Sequence, residues 1–156
     1  MADADSVNKI RFHSIQLNLW LKQRTILKRF IFSLFKKEKK QLQKLTVIFC
    51  SDEYLFRLNR QYLKHNNYTD IITFDLSGKL PGISGEIYIS LDRVRENAAK
   101  YQTSLADELH RVIFHGILHL CGYRDKSTVD KGVMRSKENF YLTKYHRYVS
   151  RETGST

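Results

Sequence analysis

The stretch from Phe114 to Lys126, FHGILHLCGYRDK, constrains this chain more than any other. His115 and His119 stand four residues apart, so on a helix both imidazoles share one face. The residues between and around them, Phe114, Ile117, Leu118 and Leu120, are apolar. Such a helix must be buried, and two neutral imidazoles in that setting need polar partners. At this spacing two imidazoles can bind one divalent metal, as in the HExxH sequence of zinc peptidases. Gly122 then allows a left-handed exit from the helix, and Asp125 could return a carboxylate as third ligand. Three protein ligands with a fourth position open is the arrangement of a catalytic zinc site. The plainer reading is a pair of hydrogen-bonded histidines. The helix-breaking glycine and the carboxylate after it favour the metal.

Gly116 occupies the position of the HExxH glutamate, so the usual peptidase base is missing. Upstream, Glu108 lies two turns before His115 and could orient a ligand, or be a structural carboxylate. Arg111 lies one turn before His115. It could hold a phosphate or stabilise developing charge, or it could be a salt-bridged arginine with Glu108 as partner.

What surrounds this helix follows from length, charge and patterning. The 156 residues fit one domain, read as residues 1–150 with a polar tail over 151–156. Two cysteines, Cys50 and Cys121, give no disulfide framework and suit a reducing compartment. No apolar run reaches the length of a membrane span, and the N-terminus lacks the pattern of a signal peptide, so the expected location is cytoplasmic. The net charge of +11 points to a polyanionic partner. It is concentrated: residues 20–44 hold nine basic residues and one acidic, residues 111–156 hold nine and four, and the middle is almost neutral.

The first basic segment predicts an amphipathic helix capped by Asn18 and beginning near Leu19. Trp20, Ile26, Leu27, Phe30, Ile31 and Leu34 form its apolar face. It could cover a sheet or lie on a membrane, and the first is expected of a domain this size. Strands are expected over 9–17 (at an edge), 44–50, 69–76 and 86–90. Helices are expected over 53–65, capped by Asp52 with Leu55, Leu58, Tyr62 and Leu63 inward, then over 91–101, from Ser104 to about Leu120, and from Ser127 or Thr128 to about Tyr148. The chain therefore reads as α+β, a small mixed sheet of about four strands covered by about five helices.

HGILHLCGYRD resembles the HGxLHLxGxDH signature of the YbeY endoribonucleases. Leu58-Asn59 with Tyr62, the run from Thr69 to Phe74 (TDIITF), the run from Gly85 to Ser90 (GEIYIS), Glu108-Leu109, and Met134 with Glu138 resemble that family's other blocks in the same order. The resemblance covers about Lys44 to Leu142. It implies a zincin-like fold, one bound zinc and hydrolysis of single-stranded RNA. It also implies a part in maturing the small-subunit ribosomal RNA and in ribosome quality control, with ribosomal particles and their proteins as partners. The implied metal ligands are His115, His119 and Asp125; the family's third histidine falls at Asp125 and its preceding aspartate at Arg124. The family arginine after the tyrosine of its LN…Y block is replaced by Leu63, and its role falls to Arg60, Lys64 or Arg111, or is lost. His65 could also meet substrate, although an exposed loop histidine is the commoner explanation. Thr69 and Asp70 are expected to shape a loop beside the cleft, and Cys121 to be a buried thiol.

The leading expectation is a zinc-dependent endoribonuclease using no small-molecule cofactor, its two basic segments guiding the RNA backbone. The alternative is a ribosome-assembly factor that binds RNA around a structural metal without cutting it. The missing glutamate and the positive charge oppose a third reading, a metallopeptidase.

Overall fold

The computed structural model describes residues 4–19 and 21–154. A turn of helix, α1 (Ala4–Asn8), leads into β1 (Ile10–Ser14). Then follow α2 (Arg24–Lys37), β2 (Leu42–Cys50), α3 (Asp52–Leu58) running into a π-helical turn (Asn59–Leu63), β3 (Ile71–Asp75), β4 (Ile83–Ser90), α4 (Leu91–Lys100), α5 (Leu105–Leu120) and α6 (Thr128–Thr153). The four strands form one mixed sheet in the order β1-β2-β4-β3. β1 and β4 both run parallel to β2, and β3 is the antiparallel edge. The α+β architecture agrees with the expectation, with α1 as an additional short helix.

Strand alternation divides the sheet's side chains. Val47, Phe49, Ile87 and Ile89 face the main core with Phe30, Leu34, Phe114, Ile117 and Tyr141 from α2, α5 and α6. Cys50 and Ile72 face the other way, onto Leu55 of α3. α5 lies close on the sheet because two glycines permit it. A Cβ on Gly116 would stand 2.9 Å from side-chain carbons of Ile71 and Ile87, and one on Gly85 would stand 2.7 Å from a Leu120 methyl. The peptidase glutamate is absent here because the sheet fills its place.

Three helix boundaries depart from expectation. α2 begins at Arg24, not near Leu19. Leu21 is drawn into the core and Gln23 turns left-handed (φ 56°), which breaks any helix coming from Asn18. Arg24 anchors the new start, its guanidinium donating to the Phe12 carbonyl at 3.1 Å. The expectation for Trp20 lies outside the described residues. The second departure is at α3, which is capped by Ser51 rather than Asp52, the Tyr54 N–H donating to Ser51 Oγ at 3.1 Å. Asp52 instead pairs with Arg93 at 3.0 Å. α3 then widens into the π turn at Asn59, whose buried amide donates to the Asn67 carbonyl at 2.9 Å. The widening rotates Tyr62 and Leu63 outward, 60% and 42% exposed, against the expectation that they face inward. Third, α6 runs on to Thr153, past the expected end near Tyr148 and into the polar segment from Arg151. No helix of the described residues is long and apolar enough to cross a membrane.

One polar defect sits in the core. His110 Nδ1 and the Tyr145 hydroxyl are buried without a hydrogen-bond partner among the described residues. Burial pushes the His110 pKa down to about 4. The unfolded chain takes up that proton near pH 6.5 and the folded one only near 4, so this histidine costs stability progressively as pH falls across that window. The full cost is on the order of 3 kcal/mol. His110→Phe is expected to flatten the fall in Tm between pH 6.5 and 4.5, read by thermal denaturation of both proteins.

Candidate metal centre and cleft

α5 carries both histidines, and its exit supplies the third group. Ser104 caps the helix start, accepting from the Asp107 N–H at 3.0 Å. At the other end the Gly122 N–H donates to the His119 carbonyl and the Tyr123 N–H to the Leu118 carbonyl, both at 3.0 Å. This paired closure requires a left-handed residue, and Gly122 supplies it at φ 106°. The chain turns back, and Asp125 arrives over the histidine face.

The three donor atoms then converge. His115 Nε2 and His119 Nε2 are 3.0 Å apart, and Asp125 Oδ2 lies 3.2 Å from each. What faces what is decided by the far side of each ring. His115 Nδ1 is 2.7 Å from Glu138 Oε2, and His119 Nδ1 is 2.9 Å from the Tyr123 carbonyl oxygen. Both Nδ1 atoms must be the donors there, since a carboxylate and a carbonyl only accept. In the neutral rings both Nε2 lone pairs therefore point at each other and at a carboxylate oxygen. Three lone pairs meeting with no hydrogen between them call for a cation. The size fits as well, because tetrahedral ligands about 2.0–2.1 Å from zinc stand roughly 3.3 Å apart. Among the described residues this trio is the group of histidine, cysteine or carboxylate side chains that could hold a metal ion. Cys121 stands outside this trio; it is buried, and burial pushes its thiol up to about 12.

Glu138 is the orienting carboxylate, in place of Glu108. It is 5% exposed yet keeps its charge. Burial raises its pKa, but the hydrogen bond and charge of His115, followed by those of Arg111, outweigh that and hold the carboxyl below its usual value. His115 is shifted the opposite way: burial lowers its pKa, and Glu138, Asp125 and Asp70 together raise it further. Arg111 pairs with Glu138 at 3.2 Å rather than with Glu108, and Arg135 reaches the same carboxylate at 3.5 Å.

A cleft of about 890 Å³ opens over the trio, walled by β3, α4, α5 and the start of α6. Arg111, Glu108, Asp70, His65 and Leu63 line it. Arg60 and Lys64 are exposed on the π turn and its left-handed end, beside the cleft and not among the residues that line it. Arg135 does line it, with its side chain 58% exposed. Periodicity on α6 carried the signal for Glu138, an acid within the buried stripe Met134, Glu138, Tyr141 and Tyr145. No comparable signal marked Arg135. Burial raises the pKa of Asp70, and it raises that of Glu108 against the pull of Arg111 and Arg135.

A family model described as Endoribonuclease YbeY matches residues 9–146. The chain belongs to the YbeY endoribonuclease family. It is 50% identical over 123 residues to the Endoribonuclease YbeY of Cytophaga hutchinsonii, spanning 79% of this chain and 86% of that protein. To the Endoribonuclease YbeY of Porphyromonas gingivalis it is 40% identical over 144 residues, spanning 92% and 95%. The solution structure of TM1509 from Thermotoga maritima resembles it with a TM-score of 0.55 at 28% identity, covering 94% of this chain and 92% of that one. Asp125 stands where the signature has its third histidine, and its carboxylate oxygen occupies the third corner of the donor triangle.

Proposed function

We propose that the protein is a zinc-dependent endoribonuclease that cuts single-stranded RNA, with His115, His119 and Asp125 as ligands of one zinc ion. It acts in the cytoplasm on the small-subunit ribosomal RNA, in maturation and quality control of ribosomal particles. The observation that carries the reading is the convergence of three possible metal-ligating atoms at the floor of an open cleft, in a chain of an endoribonuclease family.

When bound, the metal supplies Lewis acidity toward a phosphoryl oxygen and a water whose pKa falls toward about 7. The chain's own groups do the rest. Glu138 and the Tyr123 carbonyl hold the two imidazoles in the tautomer that leaves Nε2 free. Arg135, exposed at the cleft, engages the phosphodiester, while Arg111, held by Glu138, adds fixed positive charge behind the ligands. Asp70 and Glu108, which burial biases toward the protonated form, can hold a proton for the leaving ribose oxygen. Tyr101, 52% exposed at the rim, offers a ring on which an unpaired base can stack. A duplex would not present its bases to such walls.

The two basic segments meet outside this cleft. α2 and α6 enclose a groove lined by Lys37, Lys144, Arg147 and Arg151, with no acidic residue in its walls. Lys144 contacts Lys37 directly, and its pKa is lowered by that contact first. A phosphate backbone relieves this like-charge crowding, so the RNA is held there as well as at the cut.

Zinc-loaded protein is expected to cleave single-stranded RNA, to leave duplex RNA intact, and to lose activity to a chelator and regain it with zinc. With about four phosphates neutralised, affinity is expected to fall roughly 30- to 100-fold between 50 and 200 mM salt. RNA bound but never cut, on immature ribosomal particles as well as on oligonucleotides, would establish the non-catalytic assembly factor instead.

A further inference from the structure

The basic run at the end of α2 is broken by one acid, Glu38, and that acid turns inward. Its side chain is 9% exposed. The Tyr123 hydroxyl donates to its Oε1 at 2.6 Å. The Tyr141 hydroxyl donates to Oε2, and Lys137 Nζ lies 3.3 Å from the same oxygen. Burial works against the charge on Glu38, but the two tyrosine hydrogen bonds and Lys137 outweigh it and hold the carboxyl below its usual pKa. Both hydroxyls are correspondingly harder to ionise and stay donors; for Tyr123 and Tyr141 alike burial contributes most and Glu38 next.

Tyr123 joins this cluster to the metal centre. Its carbonyl accepts from His119 Nδ1, and its side chain ends on Glu38. The turn at Gly122 fixes only the amide side of Tyr123. After it the chain crosses exposed Arg124 to reach Asp125, and Lys126 is exposed again. The direction of the Tyr123 carbonyl, and the path to Asp125 two residues on, are therefore set by where the phenol is anchored.

We propose that Glu38 is a positioning residue for the metal centre, acting through the Tyr123 hydroxyl on two of the three ligands, His119 and Asp125. This rests on the reading of His115, His119 and Asp125 as a metal site. It gives a carboxylate more than eighty residues away in sequence a part in the chemistry, and it explains why an acid interrupts an otherwise basic segment.

The test uses full-length protein and zinc. Dissociation constants measured by competition with a chromophoric chelator are expected to rise about 10-fold in Glu38→Gln and in Tyr123→Phe, the low end of the range for groups supporting metal ligands. The double variant should be no weaker than the worse single one, since both break the same link. Leu34→Ala, buried in the same helix, controls for general loosening. It should lower Tm at least as far while leaving zinc affinity within about twofold. The His119 Nδ1–H resonance in the zinc-loaded protein should shift or broaden in Tyr123→Phe and stay in place in Leu34→Ala. Unchanged zinc affinity in both variants overturns the inference, as does an equal loss in Leu34→Ala, which would make the effect one of stability. A wild-type protein that takes up no zinc overturns the metal-centre reading, and the inference with it.

Discussion

His119→Ala is expected to weaken zinc binding by about 10²–10³-fold and to remove RNA cleavage at limiting metal. The magnitude follows from the roughly 10–16 kcal/mol that a four-ligand protein site gives to zinc, of which one ligand accounts for about 3–4 kcal/mol. A companion effect separates this from misfolding. Without metal, the two Nε2 lone pairs face each other at 3.0 Å, an arrangement that costs the folded state energy. Truncating His119 relieves it, so the chelated variant should melt no lower than the chelated wild type. The stabilisation that zinc confers on the wild type, about 2.7 kcal/mol at a hundredfold excess over Kd, should vanish. Calorimetry with and without zinc reads both effects. A variant that still binds zinc at wild-type affinity would remove His119 from the site. Glu138→Gln should lose less, about 10–100-fold in affinity, because it frees the His115 ring without removing a ligand.

Gly116→Glu, which restores the HExxH pattern, is expected to be the most destabilising single change on α5 and to yield no peptidase. The first added carbon would stand 2.9 Å from three carbons of Ile71 and Ile87, and both isoleucines belong to the strands beneath. Overpacking of this kind costs about 1–3 kcal/mol, and a buried carboxylate adds at least as much again. The sum is about 4 kcal/mol or more, a drop in Tm of roughly 10 °C or beyond. Gly116→Ala should lose less, because alanine regains up to about 1 kcal/mol of helix propensity. Gly132 is the contrast. It sits in α6 with nothing within 4 Å of an added carbon, so Gly132→Ala should raise Tm. Thermal melts of the three variants give the order directly, and a Gly116→Glu protein as stable as wild type would contradict the close approach of α5 to the sheet.

The convergence of His115, His119 and Asp125 was legible in the sequence because each of its parts is local. A four-residue spacing, a glycine that can turn left-handed and a carboxylate three residues later need no tertiary information. The fold class was legible for the same reason, through the apolar, β-branched run of β2 and the helix-start serines Ser104 and Ser127. What stayed hidden depends on contacts between distant segments. The start of α2 moved to Arg24 because Leu21 enters the core and Phe12 receives the arginine. The π turn follows from a bond between Asn59 and Asn67, which no periodicity encodes. Arg135 reads as one more surface cation until α6 is docked beside the cleft. Glu38 reads as a solvated acid among lysines, and only the folded chain shows two tyrosines closing on it.

The docking of α6 also bears on the metal centre. The three candidate ligands are complete in the chain by Asp125, yet the carboxylate that pairs with the His115 ring is Glu138, and the Tyr141 hydroxyl that helps hold Glu38 comes later still. That same helix finishes the core, where Tyr141 and Tyr145 close on Phe30. Until that helix docks, the Tyr123 carbonyl can hold the His119 ring, but His115 lacks the Glu138 carboxylate that orients it. The donor triangle is thus completed by the docking of a distant helix, not by the local segment that supplies its three atoms.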